Sequence, residues 1–174
     1  MVEEIKPLLR IGAPEWGRIV LDWEAQSNAF SENFADHAPA SMAVLEELAQ
    51  SAPLRDAGVF SFSDGNEVLA ILQANSAFLP GYEGKVLRVR HIVLSPKFEL
   101  DESIGIDDYA AALVGVFAGS IRLSVEQMPS SHVKFHLRSP AERMFGEQFT
   151  SVMQQSKFFK NTAMRGSWIY LSRT

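Results

Sequence analysis

The sequence predicts an α+β fold in a single domain that spans residues 1–174. Two helical patterns come first, strand-like alternation begins near residue 58, and helical and strand patterns then alternate to the end of the chain. Hydrophobic residues make up 47% of the chain and charged residues 21%, which is ordinary for a globular domain and argues against a disordered or coiled-coil chain. We expect an N-terminal helical segment, residues 1–55, followed by a sheet with core helices, residues 58–174.

Two helices are predicted in the N-terminal segment. The first starts at Pro14, because proline is favoured in the first turn of a helix and an acidic residue follows it. The second starts at Pro39 and ends before Pro53. Apolar residues recur in both helices at three- and four-residue steps. They are Trp16, Ile19, Val20, Trp23, Met42, Leu45 and Leu48. We expect the aromatic ones to lie in the core, with the lining of a ligand pocket as the alternative.

Three strands joined by short turns are predicted in the middle of the chain. The first two, residues 58–63 and 67–79, flank the pair Asp64-Gly65, which tolerates the positive φ values of a tight hairpin turn. The third, residues 85–95, is rich in β-branched residues and ends at a proline. Short turns between successive strands predict an antiparallel meander.

A long helix is predicted after the meander. Asp107 or Asp108 caps its N-terminus, and it continues to about Gln127. Its first three turns are apolar nearly all round, so we expect it to lie buried against the sheet. Gly115 and Gly119, four residues apart inside this helix, favour close packing against a neighbour.

A strand, an amphipathic helix and a last strand complete the chain. Apolar and polar residues alternate over residues 133–137, which indicates a strand with one buried face. Its outward residues and the next one along are Lys134, His136 and Arg138. The helix begins with a capping box formed by Ser139 and Glu142, and the last strand falls within residues 164–173. We expect the outward face of the first strand to be solvated.

Charge is divided unevenly along the chain. Residues 1–84 carry 13 acidic and 4 basic side chains, whereas residues 85–174 carry 8 acidic and 12 basic ones. A basic half favours a polyanionic ligand such as a nucleotide-bearing cofactor, and the alternative is that two faces of one domain complement each other. The net charge of −5 and the absence of a dense basic cluster argue against nucleic-acid binding.

The composition also argues against several kinds of site. Without cysteine there is no disulfide, no thiolate nucleophile and no cysteine-based zinc site. The four histidines show no paired spacing, which predicts no metal site. The longest uncharged apolar stretch, residues 109–119, is too short to span a bilayer, and the first residues lack the features of a secretory signal. We therefore expect a cytoplasmic protein without membrane contacts.

Residues 88–96, Arg-Val-Arg-His-Ile-Val-Leu-Ser-Pro, and the order of the elements resemble the GNAT superfamily of acyl-CoA-dependent N-acyltransferases. The resemblance covers roughly residues 58–173 and implies a mixed, mostly antiparallel central sheet flanked by helices. It implies transfer of an acyl group from acetyl-CoA or another acyl-CoA to a small-molecule or peptide amine. In that family this strand splays from the next one, and its backbone binds the pantetheine arm. By position, Ile92 and Leu94 are the pantetheine-facing residues.

The resemblance also implies a diphosphate site and a general base. Ser103 and Gly105 approximate the family's glycine pattern, in which main-chain N–H groups close around the diphosphate. The cations best placed to meet phosphate are Lys97, Arg138 and Arg143. His91 lies where the family often keeps a base, and an imidazole with an ordinary pKa near 6.5 suits that role. The alternative for His91 is a hydrogen-bonded structural histidine.

Two departures from the family pattern favour a second hypothesis, a catalytically inactive GNAT-like binding or assembly module. Phe145 stands at the position where many family members have a tyrosine that acts as the general acid. Carboxylates crowd the diphosphate loop. They are Glu99, Asp101, Glu102, Asp107 and Asp108. A homodimer is compatible with either hypothesis, and the sequence identifies neither the acceptor nor the acyl chain.

Overall fold

A computed structural model describes residues 4–173. Residues 1–3 and Thr174, which the predicted domain includes, lie outside the described residues. The elements in chain order are β1 (Leu9–Ile11), α1 (Ala13–Ala29), a 3-10 turn (Phe34–Asp36), α2 (Pro39–Gln50), β2 (Ala57–Asp64), β3 (Glu67–Phe78), β4 (Lys85–Leu94), α3 (Lys97–Leu100), α4 (Ile106–Glu126), β5 (His132–His136), α5 (Pro140–Ser156), β6 (Asn161–Arg165) and β7 (Trp168–Ser172).

The strands form one seven-stranded sheet in the order β1-β2-β3-β4-β5-β7-β6. Every neighbouring pair is antiparallel except β4 and β5, which are parallel. A parallel pair needs a long crossover connection, and α4 supplies it. The α+β class is confirmed, and so is the mixed, mostly antiparallel sheet flanked by helices.

The local signals locate most elements closely. Both N-terminal helices begin at their prolines as predicted, and the meander is formed by β2, β3 and β4. Gly65 in the β2–β3 turn has a φ of 59°, as the tight-turn prediction requires. The capping box of α5 is present, because Ser139 accepts from the N–H of Glu142 while the Glu142 carboxylate accepts from the N–H of Ser139.

Two elements were not predicted, and two local predictions are wrong. The unpredicted elements are the strand β1, on the edge of the sheet beside β2, and the short helix α3 after β4. The residue at the N-cap of α4 is Gly105, and Asp108 completes a capping box by accepting from its N–H. The single strand predicted at the C-terminus is a hairpin, β6 and β7, whose turn contains Gly166 at a φ of 59°.

Two hydrophobic cores lie on opposite faces of the sheet. The larger is formed by α4, α5 and one face of β2–β5 and β7, with Phe117 and Phe135 fully buried at its centre. The smaller is formed by α1, α2 and the other face of β1–β4, and Trp23 and Leu45 are fully buried there. The aromatic residues of α1 that point inward are therefore core residues.

One helix of the described chain, α4, is long and apolar enough to cross a membrane. Its buried residues face the sheet, which is the arrangement of a core helix, and the glycines predicted to allow close packing do so. A methyl group on Gly115 would lie 2.1 Å from the ring of Phe62, and one on Gly119 would lie 2.8 Å from Leu8. These two glycines bring α4 close to its neighbours.

Candidate functional site

The parallel strands β4 and β5 separate midway. Among the described residues their pairing runs from Val86 opposite His132 to Val89 opposite Phe135 and then stops. The rest of β4, Arg90 to Leu94, remains paired with β3 on one side only. We call the opening between this part of β4 and the end of β5 the strand gap.

A β-bulge lies in β4 at the start of the strand gap. Ile71 pairs with Val93 and Gln73 pairs with Arg90, so Leu72 of β3 faces two residues of β4, His91 and Ile92. His91 has a φ of 52°, which is uncommon for a residue other than glycine. A bulge bends its strand and increases the local twist. The turn of β4 away from β5 therefore has a local cause in the backbone.

The main chain of β4 presents polar groups to the strand gap. Ser95 donates its N–H to Leu69 of β3, so the alternation along the strand directs the main-chain groups of Leu94, and of Ile92 two residues earlier, toward the gap. The carbonyl of Leu94 already accepts from Nε2 of His37, 2.8 Å away. Ile92 and Leu94 thus lie on the edge of β4 that faces the strand gap, and the carbonyl of Leu94 is already occupied.

Three polar side chains meet beside the bulge. Nη1 of Arg138, just past β5, lies 3.1 Å from Nδ1 of His91, and the hydroxyl of Ser41 at the start of α2 lies 3.0 Å from the same nitrogen. Arg138 also donates to Ser41. Since a guanidinium only donates, Nδ1 of His91 accepts and its Nε2 carries the hydrogen. Arg138 therefore bridges the strand gap on this face of the sheet.

The charge state of His91 follows from these neighbours. Burial lowers the pKa of His91, and the nearby cations Arg138 and Arg90 and the imidazole of His136 lower it further. His91 is consequently a neutral imidazole at neutral pH. The sequence prediction of a base is compatible with that charge state, but the Nδ1 lone pair is engaged by Arg138.

The loop predicted to hold a diphosphate is occupied by the protein's own carboxylates. Asp101 accepts from both the N–H of Ser103, at 2.9 Å, and its hydroxyl, at 2.6 Å. Asp108 accepts from the N–H of Gly105 at 3.2 Å. The donors predicted from Ser103 and Gly105 are therefore not free, and the residues do not fit a diphosphate in the way that the resemblance implies.

The three predicted phosphate-binding cations do not converge. Lys97 pairs with Glu67 of β3 at 2.7 Å, and Arg138 bonds to Ser41 and His91 on the α2 side of the sheet. Arg143 lies exposed in the first turn of α5, on the opposite side, and belongs to none of the ion pairs found within residues 4–173. The sequence could not separate these positions, because they come from three elements whose relative placement only the fold sets.

Sequence reasoning missed a phenol near the strand gap. Tyr109, in the first turn of α4, is half-buried, and its hydroxyl lies beside Ser139 and Glu142 at the N-terminus of α5. Burial and the Glu142 carboxylate raise the pKa of Tyr109. Phe145, which replaces the expected tyrosine, packs against Phe117 in the larger core. No spacing rule links Tyr109 to α5, so the sequence held no signal for this contact.

A cavity of about 730 Å³ lies elsewhere, between α4 and the turn joining β2 and β3. Phe62, Leu69 and Val114 are among its apolar lining residues, and Lys97 is the one predicted phosphate-binding residue that it includes. No residue of β5 or α5 lines it. Within residues 4–173, no group of three or more histidine or acidic side chains is arranged to hold a metal ion.

No protein-family model and no curated protein matches this chain. A solved structure of a conserved protein of unknown function from Enterococcus faecalis, described as a probable N-acyltransferase, is 12% identical with a TM-score of 0.37. The likeness covers 80% of this chain, which spans only 31% of that protein. A solved structure of an acetyltransferase from Thermus thermophilus is 10% identical with a TM-score of 0.42, over 98% of this chain and 99% of that one.

The fold of this chain is GNAT-like. Its mixed, mostly antiparallel sheet, the helices that flank the sheet and the separation of β4 from its neighbour β5 are those that the resemblance implied. A fold of this kind does not by itself determine an activity.

Proposed function

We propose that this protein transfers an acyl group from a thioester, acetyl-CoA or another acyl-CoA, to an amine bound at the strand gap. The observation that carries the proposal is the separation of β4 from β5 at a bulge, which leaves the edge of Ile92 and Leu94 without a partner strand. An extended thioester arm pairs with such an edge as an added strand does. The acceptor is a small-molecule or peptide amine, and we place the reaction in the cytoplasm.

The reaction requires three contributions from this chain. The amine nitrogen attacks the thioester carbonyl carbon, a C–N bond forms, and the C–S bond breaks. A main-chain N–H on the gap edge of β4 stabilises the negative charge that develops on the carbonyl oxygen. Holding amine and thioester together supplies much of the rate, because it replaces a bimolecular encounter.

We assign the proton transfers to two side chains. Tyr109 supplies a proton to the departing thiolate. Phe145 cannot fill that role, because its phenyl ring has no acidic proton. His91 accepts the proton that the amine loses, through Nδ1, once that nitrogen is released from Arg138. We assign no main-chain contact to the diphosphate of the acyl donor, since Asp101 and Asp108 already accept from the N–H groups of Ser103 and Gly105. We assign the diphosphate instead to Arg143, which is exposed on the α5 side of the sheet.

The absence of cysteine makes a direct assay available. Thiol released from acetyl-CoA reacts with Ellman's reagent, and the protein contributes no thiol of its own. We expect amine-dependent thiol release, and a rise in melting temperature with CoA, because a ligand at 100 times its Kd adds about 2.7 kcal/mol of stability. Tyr109→Phe should lower turnover by about a hundredfold while keeping the CoA-induced rise in melting temperature.

A matched pair of variants controls for loss of charge. Arg143→Gln should weaken CoA binding, whereas Arg18→Gln, which removes a cation from the exposed face of α1, should leave it unchanged. Absence of both a melting-temperature shift at millimolar CoA and of thiol release with a panel of amines would contradict the proposal.

The second candidate is a catalytically inactive GNAT-like module that uses the strand gap for another ligand or for assembly. The occupied donors at Ser103 and Gly105 and the phenyl ring of Phe145 favour it. This candidate predicts no thiol release with any amine, and no effect of Tyr109→Phe on ligand binding. The thiol-release assay therefore separates the two candidates, since both expect the Tyr109→Phe variant to keep its ligand binding.

A further inference from the structure

One face of the sheet is only partly covered by helices, and the uncovered part of that face is polar and basic. The smaller core, under α1 and α2, contains residues of β1 to β4 and none of β5, β6 or β7. The other face of β5 and β7 is fully buried under α4 and α5. On the side of α1 and α2, the surface of β4, β5, β7 and β6 thus continues beyond the helices. We call this surface the basic face.

The strand registers align the basic face in two rows that run across the strands. Paired residues of neighbouring strands share a face, so their side chains stand side by side about 5 Å apart. The first row is Asn75, Arg88, Lys134 and Tyr170. The second row is Gln73, Arg90, His136, Trp168 and Arg165, with His136 one step beyond the last β4–β5 pair. Arg138, two residues after His136, lies beside His91 at the strand gap.

The cations of this face have no carboxylate partners. None of the six ion pairs found within residues 4–173 includes Arg88, Arg90 or Lys134, and the same holds for Arg138 and Arg165. Burial lowers the pKa of Lys134, and Arg88 and Arg90 lower it further, which shows that the cations lie within electrostatic reach of one another. Like charges held together without a counter-ion repel each other, and an anion relieves that repulsion.

Orphaned polar atoms point to a ligand on the same face. Buried side-chain atoms without a hydrogen-bond partner include Nε of Arg88, Nε of Arg90, Oε1 of Gln73 and Oδ1 of Asn75. Buried polar atoms in folded proteins are nearly always paired, and a group of four in two adjacent rows is exceptional. The two guanidinium Nε atoms are donors, and guanidinium groups bind oxyanions with two parallel hydrogen bonds, whereas the two amide oxygens only accept and suit the N–H groups of an amine.

The aromatic side chains hold the cations in place. Nζ of Lys134 lies 4.6 Å from the ring centroid of Trp168 and 5.0 Å from that of Tyr170. Arg165 lies over Tyr170 at 5.8 Å. Burial, Arg138 and Arg90 lower the pKa of His136, and the Glu142 carboxylate only partly offsets them. That carboxylate already accepts from the N–H groups of Arg138 and Ser139. The aromatic rings therefore position positive charge without neutralising it.

We propose that the basic face binds an oxyanion group, a carboxylate or a phosphate, on the amine that accepts the acyl group. The proposal rests on the proposed function, because Arg138 and His91 connect this face to the strand gap. The strand gap opens within the second row, between Arg90 and His136, and Lys134 lies two residues before His136 on β5. An amine at the gap can therefore place its anionic end on Arg90 or Lys134. The acceptor class is then a small amine that carries a negative charge, such as an amino acid or a phosphorylated amine.

The test is a binding measurement that needs no acyl donor. Three amines that share an aminoethyl group, ethanolamine, β-alanine and O-phosphoethanolamine, are titrated by calorimetry against the full-length protein. We expect β-alanine or O-phosphoethanolamine to bind at least about tenfold more tightly than ethanolamine, and higher salt to weaken that binding. The carboxylate and phosphate members identify which oxyanion the face selects. Equal binding of all three, or of none, overturns the inference.

Variants locate the binding to this face. Lys134→Met keeps the apolar stem over Trp168 while removing the charge, and Arg165→Gln changes an exposed side chain, so that at least one of them should remain folded. Lys134→Met should weaken anion binding by about tenfold. Arg165→Gln, which removes a cation two strands away on β6, should weaken it by about two- to threefold, and Arg18→Gln on α1 should have no effect. If all three variants bind the anion as tightly as the wild type does, the bound anion is an adventitious ion only and the inference fails.

The outcomes separate this inference from the proposed function. If the anionic amines bind at the basic face but thiol release is never seen, the inference about the ligand stands and acyl transfer fails. If thiol release occurs with ethanolamine as readily as with the anionic amines, acyl transfer stands and the inference fails.

Discussion

At the residue scale, His91 and Arg138 are the pair on which the site depends. The sequence predicts His91 as a base and Arg138 as a phosphate-binding cation, and it places them on different strands with no relation between them. The structure brings them to 3.1 Å, where Arg138 donates to Nδ1. His91 is therefore a neutral acceptor whose positive φ also forms the bulge of β4.

The histidines of this site make stability depend on pH. Burial, then Arg138 and Arg90, lowers the pKa values of both His91 and His136 in the folded protein. Unfolding restores an ordinary value near 6.5, so below that pH the unfolded chain binds more protons than the folded one. The free energy of unfolding should therefore fall as the pH decreases through about 6.5, and it should stop falling below the folded-state pKa values.

Urea denaturation between about pH 5 and pH 7.5, where exposed carboxylates keep their charge, measures this effect. The double variant His91→Asn, His136→Gln should show a flatter dependence, and asparagine is chosen because it tolerates the positive φ at position 91. A double variant whose stability changes with pH as steeply as the wild type would contradict this assignment.

At the element scale, α4 forms where its sequence predicts a helix, but the residue at its N-cap is Gly105. Its apolar sequence predicts a buried helix, and its N-terminus is correctly expected to carry acidic residues. Only the structure shows that Asp108 bonds to Gly105 and Asp101 to Ser103. The same carboxylates that stabilise the start of the helix keep the two predicted diphosphate donors occupied.

A glycine pair tests the packing of this helix. A methyl group added at Gly115 in α4 would lie 2.1 Å from the ring of Phe62. Gly17 in α1 is exposed, and no atom lies within 4 Å of a methyl group added there. Gly115→Ala should destabilise the protein by about 1–2 kcal/mol, because overpacking outweighs the gain in helix propensity. Gly17→Ala should stabilise it by about 0.5–1 kcal/mol.

Chemical denaturation of the two variants measures the contrast, and their opposite signs exclude a general effect of replacing a helical glycine. Equal stabilisation by both substitutions would show that Phe62 moves aside at little cost and that α4 is not closely packed at Gly115.

At the scale of the whole molecule, the two hydrophobic cores share the central strands. β2, β3 and β4 contribute one face to each core, for example Leu72 to the larger and Ile71 to the smaller. The N-terminal helices therefore cover a sheet that cannot keep both faces buried without them. We predict that residues 4–173 unfold as one cooperative unit.

A substitution in the smaller core tests that prediction. Leu45→Ala removes a fully buried side chain of α2 and should cost about 2–5 kcal/mol. Tryptophan fluorescence, which reports largely on Trp16 and Trp23, and far-ultraviolet circular dichroism, which reports on the whole chain, should show coincident transitions shifted by the same amount. Early loss of the fluorescence change alone would show that α1 and α2 unfold as a separate unit.

The basic face belongs to the scale of the whole molecule as well. The sequence shows an excess of basic residues after residue 84 and an outward row of Lys134, His136 and Arg138. It does not show that Arg88 and Arg90 from β4 and Arg165 from β6 share that face, because this depends on strand order and register. The interpretation as a merely solvated face is replaced by our proposal of an anion site.

The amino-acid sequence by itself determined most of the elements and the fold class, since hydrophobic period, proline and glycine positions and capping residues act within a few neighbours along the chain. The family resemblance pointed to Ile92 and Leu94, whereas the bulge of β4 sets the direction in which their main-chain groups face. The tertiary structure alone decided that β4 and β5 separate after Val89, that Tyr109 reaches α5 and that His91 meets Arg138. Each of these joins residues distant in sequence, and their meeting depends on the register and packing of the whole sheet.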